Sequence, residues 1–160
     1  MMSVLGSFPL FITVLISLFL TGVSLPEKLV PYWPDWIVLV LIYWGMARPG
    51  RVSVFFGWFI GLLVDVMHGS LLGQNALALT LISYIVNILH LRMRMFPLLQ
   101  QSFFIVMLVA LHLGITAWIR GMTGEFVITP LYWMPAFVSG VVWPVLFITL
   151  RDVRRSGMKR

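Results

Sequence analysis

Gly57, Gly61, Asp65, Gly69 and Gly73 put a glycine or an aspartate at every fourth position through an otherwise apolar stretch. A step of four residues drifts only about 40° around a helix axis, so the first three share one stripe. The run 52–67 is apolar enough for a membrane span, which sets the Asp65 carboxylate on that span in line with two small residues. An ionisable side chain in such a place is a functional-site hypothesis by default. It could be a buried partner for His68, Gln74 or Asn75, or a proton or ligand site. It could instead be an acid reaching the headgroup region, a contact for a partner protein, or, the favoured reading, a hydrogen-bond anchor for the loop that follows. A relay takes a chain of ionisable groups across the membrane. The apolar runs hold few others, so none is expected.

Gly57 and Gly61 form a small-xxx-small pair that lets a second helix approach closely, within this chain or from another. Gly69 and Gly73 suit a tight turn around His68-Gly69-Ser70, where positive φ is cheap for glycine. His68, His90 and His112 fall on three different segments with no ligand spacing, so each reads as a packed or interfacial histidine and no metal site is expected. The chain has no cysteine, which removes disulfides, thiolate metal sites and cysteine nucleophiles. Ser17, Thr80, Ser83, Ser139 and Thr149 lack a nucleophile-elbow context and suit bonds to helix backbones. No catalytic constellation and no cofactor motif emerges.

The elements that must position these residues follow from composition. The chain is 61% hydrophobic and 10% charged, with a mean hydropathy of +1.02, whereas soluble domains carry about 25% charged residues. An all-α membrane bundle uses almost all of its 160 residues. Apolar runs predict six spans, at 8–23, 33–47, 52–67, 71–91, 97–119 and 131–150. Residues 1–150 make one bundle and 151–160 a basic tail. A full crossing takes about 20 residues, so the first three spans are short, and must start in the headgroups, thin the bilayer or be shielded by neighbours. Lys and Arg in the connecting segments and tail divide nine against two between the two sides. The nine include the tail residues Arg151, Arg154, Arg155, Lys159 and Arg160. That bias predicts an even number of spans with both termini in the cytoplasm. It places Asp65 near the outer surface, and the tail where anionic lipid or a cytoplasmic partner could meet it. Scattered arginines with no soluble surface argue against nucleic acid.

The first segment could be a signal peptide with Gly22 and Ser24 near a cleavage point, but residues 1–7 hold no Lys or Arg, which favours retention. Trp33, Trp36, Tyr43, Trp44, Trp58, Trp118, Trp133 and Trp143 lie mostly near span ends, as an aromatic belt predicts. Asp35 opens span two, where it could cap free amides. Pro144 should kink span six unless neighbours satisfy the carbonyl it frees.

The stretch Gly57-Trp-Phe-Ile-Gly61-Leu-Leu-Val-Asp65-Val-Met-His-Gly69-Ser-Leu-Leu-Gly73 resembles the signature region of the MreD family of bacterial rod-shape proteins. Pro34-Asp35-Trp36, the Arg48-Pro49 turn and Gly140-Val-Val-Trp143-Pro144 before a basic tail are similar to that family as well, so the resemblance covers nearly the whole chain. It implies a non-enzymatic part of the cell-elongation machinery in the cytoplasmic (inner) membrane, acting on side-wall peptidoglycan synthesis. The implied partners are MreC first, with MreB, RodZ, RodA and its transpeptidase in the wider complex. It also implies a fold similar to the six-helix substrate-binding (S-component) subunits of vitamin transporters. That analogy opens an alternative, a small-molecule-binding or transporter subunit, but does not by itself confer ligand binding.

Overall fold

The computed structural model describes residues 7–124 and 128–158. Six α-helices follow in order: α1 Phe8–Gly22, α2 Trp36–Ala47, α3 Val54–His68, α4 Gln74–Met95, α5 Leu98–Met122 and α6 Met134–Met158. Short 3₁₀ turns at Val30–Tyr32 and Pro130–Trp133 lead into α2 and α6. The described residues contain no strand.

Three helical stretches are long and apolar enough to cross a membrane: α4, α5, and α6 with its preceding turn. Their lengths of 22 and 25 residues correspond to about 33–38 Å at 1.5 Å per residue, enough for a hydrocarbon core of about 30 Å. The helices α1 and α3 are apolar but have only 15 residues each.

The shortest helix explains itself by where it sits. In α2 every residue from Ile37 to Met46 is buried, and it packs against α1, α4 and α6. A helix that is apolar all round belongs inside protein or lipid, and this one is inside protein. Its neighbours shield it, which is how 12 residues serve in place of about 20. By contrast, α1 turns Phe8, Phe11, Leu15 and Phe19 outward, the apolar surface a lipid-facing helix presents.

Apolarity marks membrane depth and not helix ends, so several boundaries differ from the sequence expectation. The fourth helix begins at Gln74, not at 71, because Gly69 and Gly73 both take positive φ, 60° and 101°, and break the chain between α3 and α4. At its other end α4 runs on through Arg92 and Arg94. In the same way α6 continues past Leu150 through Arg151, Arg154 and Arg155 to Met158, so these basic residues are helical. Lys159 and Arg160 lie outside the described residues. Pro144 sits inside α6, where its ring removes the bond that would run back to the Gly140 carbonyl.

The aromatic belt needs correction. Trp44 and Trp143 are wholly buried, and Tyr43 is 2% exposed. Indole N–H groups must be satisfied once buried, and both are: Trp44 Nε1 donates to Thr13 Oγ1 at 2.8 Å and Trp143 Nε1 to Gln101 Oε1 at 3.2 Å. Trp58 and Trp118 are exposed, as belt residues should be.

Candidate functional site: a polar network at one end of the bundle

The closest helix pair, α3 with α4, is made by the glycine stripe. A Cβ on Gly57 would run into Ser83 Oγ and, at 2.9 Å, the Leu79 carbonyl. One on Gly61 would strike the Ala76 backbone, its nitrogen at 2.6 Å, and the Asn75 carbonyl at 2.7 Å. Backbone here lies against backbone, as small-xxx-small packing allows, and both glycines serve a contact inside this chain.

Close approach brings Asp65 to the start of α4. That helix has Gly73 at its N-cap, a residue with no side chain to accept from the free amides of the first turn. Asp65 does so from the neighbouring helix. Its Oδ2 accepts from the Gly73 and Ala76 amides at 2.9 and 3.3 Å. Its Oδ1 accepts from the Asn75 amide at 3.0 Å, Asn75 Nδ2 at 2.9 Å and Ser70 Oγ at 2.9 Å. Five donors saturate a carboxylate that is wholly buried, and the positive end of the α4 dipole faces it. The turn itself is closed by Ser70 N–H donating to the Asp65 carbonyl at 3.1 Å. Gly69 caps α3 in the left-handed region, its N–H on the Val66 carbonyl.

Asp65 is not isolated. The same Asn75 amide that donates to it through Nδ2 offers Oδ1 to His112 Nε2 at 3.1 Å. On the other side of that imidazole, Nδ1 lies 2.7 Å from Asp35 Oδ2. This is a close approach that does not meet the geometry of an N–H···O hydrogen bond. Acid, amide, imidazole and acid thus run from α3 through α4 and α5 to the start of α2. An Asn oxygen accepts only, so His112 Nε2 is the donor in that bond.

Two sequence expectations are corrected here. Asp35 stands at the N-cap of α2 but its side chain makes no capping bond. The carboxylate turns to His112, while the Asp35 amide donates to Ser139 Oγ at 3.1 Å. The sparse ionisable groups of the spans also do not stay apart: two acids and a histidine from three helices join. The network runs sideways at one end of the bundle. His68 joins none of it, its Nδ1 lying 3.0 Å from the Val64 carbonyl of its own helix. Trp143 and Pro144 lie elsewhere, at the α5–α6 contact, and the basic residues of α6 lie at the opposite end.

Asp35, Asn75 and His112 of this network, but not Asp65, line an open cleft of about 640 Å³, with Trp33, His68, Gln74, Thr116, Arg120 and Tyr132 among its other walls. Gln74 is 3% exposed, with no hydrogen-bond partner for Nε2 among the described residues. Across the cleft Tyr132 Oη donates to the Leu113 carbonyl at 3.0 Å, with Thr116 Oγ1 also 3.0 Å from it. No group of three or more potential metal ligands occurs among the described residues.

His112 and Asp35 are 77 positions apart, so no motif could announce the pair. Depth could have done so. In alternating spans the start of span two, the end of span three, the start of span four and the last third of span five all come to the same side. Following each polar residue to its depth would have brought Asp35, Asp65, Asn75 and His112 together.

An all-helical bundle with three long apolar helices and an acid–imidazole network gathered at one end defines an integral membrane protein. Residues 1–153 match the family described as rod shape-determining protein MreD. The chain belongs to the MreD family. It is 35% identical over 135 residues to the rod shape-determining protein MreD of Haemophilus influenzae, a match that spans 77% of this chain and 76% of that protein. No solved structure matches it.

Proposed function

We propose that this protein is a non-enzymatic membrane component of the cell-elongation complex, holding the side-wall peptidoglycan machinery together and so maintaining rod shape. Membership of a shape-determining family along nearly the whole chain carries this reading. The Asp65 cluster supports it: a carboxylate with five internal donors is a device for joining α3 to α4, with no free valence for chemistry. The family resemblance makes a bitopic MreC-type protein the nearest partner, with MreB, RodZ, RodA and its transpeptidase further out. Its place is the cytoplasmic membrane, with both termini inside. Depleting the protein from a rod-shaped cell should round the cells and disperse side-wall insertion, and the wild-type gene should reverse both. Cells that kept rod shape and normal insertion after full depletion would overturn the assignment.

One observation favours a second reading, a small-molecule-binding subunit. The open cleft of about 640 Å³ beside His112 and Gln74 has the size of ligand pockets, with convergent polar groups among apolar walls. Saturable retention of a small molecule by the purified protein, lost in Gln74→Leu, would support it. A purified protein that retains none would count against it.

A further inference from the structure

At the end of the bundle opposite the Asp65 network, a pocket of about 280 Å³ opens between α2, α4, α5 and α6, lined by Tyr43, Met46, Arg94, Gln101, Phe147 and Arg154 with Ala47. Its lining holds two arginines and no acidic side chain. Tyr43 is 2% exposed and its hydroxyl has no hydrogen-bond partner among the described residues. Its ring is wedged between Trp44 and Phe147, with centroids 5.5 and 5.6 Å away, so the hydroxyl is held in place. Buried hydroxyls are normally satisfied, and one left unmade in a rigid setting asks for an explanation.

Arg94 from α4 and Arg154 from α6 line the same pocket as Tyr43, and both, with Arg151, lie within electrostatic reach of its hydroxyl. Arg94 Nη2 donates to the Ala47 carbonyl at 2.8 Å, which anchors the guanidinium and leaves its other N–H groups for use. Arg154 Nε is buried with no partner among the described residues. Asp152 is also within electrostatic reach of the hydroxyl, but it is mostly exposed, sits 3.9 Å from Arg151 Nε, and like Arg151 lies outside the pocket lining, so Arg94 and Arg154 have no acidic neighbour within the lining. Gln101 is fully engaged, donating through Nε2 to the Met93 and Phe96 carbonyls and accepting from Trp143 at Oε1. It is therefore a wall and not a competing acceptor.

Like charges from two helices around an unsatisfied phenol, with Met46 and Phe147 as apolar walls, require an anion with several acceptor oxygens. We infer that this pocket binds a phosphate-ester anion, with Arg94, Arg154 and the Tyr43 hydroxyl as donors. Guanidinium forks match phosphate oxygens. The phosphate could be the headgroup of an anionic lipid or a free phosphate, and one experiment separates them.

Full-length protein in detergent is titrated with phosphatidylglycerol, with diacylglycerol of the same chains, and with inorganic phosphate, following unfolding by tryptophan fluorescence. Phosphatidylglycerol should raise the midpoint saturably and diacylglycerol should not. Arg154→Gln and Tyr43→Phe should each weaken the effect about 10-fold, the scale of one charge-assisted hydrogen bond. Arg155→Gln, which removes an exposed charge from the same helix, should stay within about twofold. If inorganic phosphate alone reproduces the shift and the variant pattern, the source is free phosphate and the site stands. Absence of a saturable shift with either probe overturns the proposal. So does an Arg155→Gln loss as large as that of Arg154→Gln. The comparison of those two arginines decides the matter even if Tyr43→Phe unfolds.

Discussion

Asp65 shows how one side chain substitutes for a cap that glycine cannot supply. Gly73 is needed at the turn for its φ of 101°, so the first amides of α4 must find their acceptor elsewhere, and the acid one turn from the end of α3 meets them. Asp65→Ala leaves three amides and the Asn75 side chain without this acceptor, while the Ser70 hydroxyl keeps only the longer bond to the residue-65 carbonyl, 3.4 Å. The substitution should cost about 3 kcal/mol, combining a lost cap with unsatisfied buried donors. Asp65→Asn keeps the shape but turns an NH₂ toward donors, so it should rescue only part of that loss. Tryptophan-fluorescence melting of purified variants reads both; an unchanged Asp65→Ala midpoint would contradict the capping role. A second prediction concerns the neighbouring contact. Asp35→Asn and His112→Gln should be non-additive, with a coupling of about 1–2 kcal/mol in a double-mutant cycle. Additive losses would mean the 2.7 Å approach contributes nothing.

Between elements the controlling quantity is distance of approach. Gly61 faces backbone and Gly57 faces mainly a side chain, so the two glycines should respond differently. Gly61→Leu should separate α3 from α4, pull Asp65 off its donors and prevent folding. Gly57→Ala should cost about 1–3 kcal/mol through overpacking. Adding Ser83→Ala should recover part of that, because the Ser83 hydroxyl is the first atom met, while the Leu79 carbonyl cannot move aside. No such partner substitution should rescue Gly61. If Gly61→Leu folded normally but lost its membrane partners on co-purification, the stripe would be an intermolecular face. The same scale explains α2, whose uniform apolarity the sequence displays without showing that protein, and not lipid, surrounds it.

Across the whole molecule, charge and polarity are sorted to opposite ends. The arginines of α4 and α6 gather at one and the acid–imidazole network with its cleft at the other. By the positive-inside bias, the nine-to-two distribution of Lys and Arg predicts that the basic end faces the cytoplasm. A fluorescent protein fused after residue 160 should therefore fluoresce, and a periplasmic phosphatase at the same point should be inactive. The reverse result would invert every depth assignment, Asp65 included. Burying a charge in the shared core should be far worse than on the lipid face near a helix end. Ile42→Lys is expected to abolish folding, whereas Val153→Lys, on a partly exposed position of α6, should be tolerated, as measured by yield and monodispersity in detergent.

Length, composition and hydropathy determined on their own that this chain is an all-helical membrane protein, because apolar runs of span length have few other fates. The four-residue stripe also marked in advance where two helices touch and where the chain turns, since glycine's lack of a Cβ is a local property that spacing reveals. Partnership was decided only in three dimensions. Whether Asp35 caps a helix or meets a histidine 77 residues away, whether Trp44 and Trp143 sit in a belt or a core, and whether two arginines share a pocket with Tyr43 all depend on rotations and depths of separate helices. Those are set by close packing among side chains distant in sequence, and no periodicity within one segment carries that information.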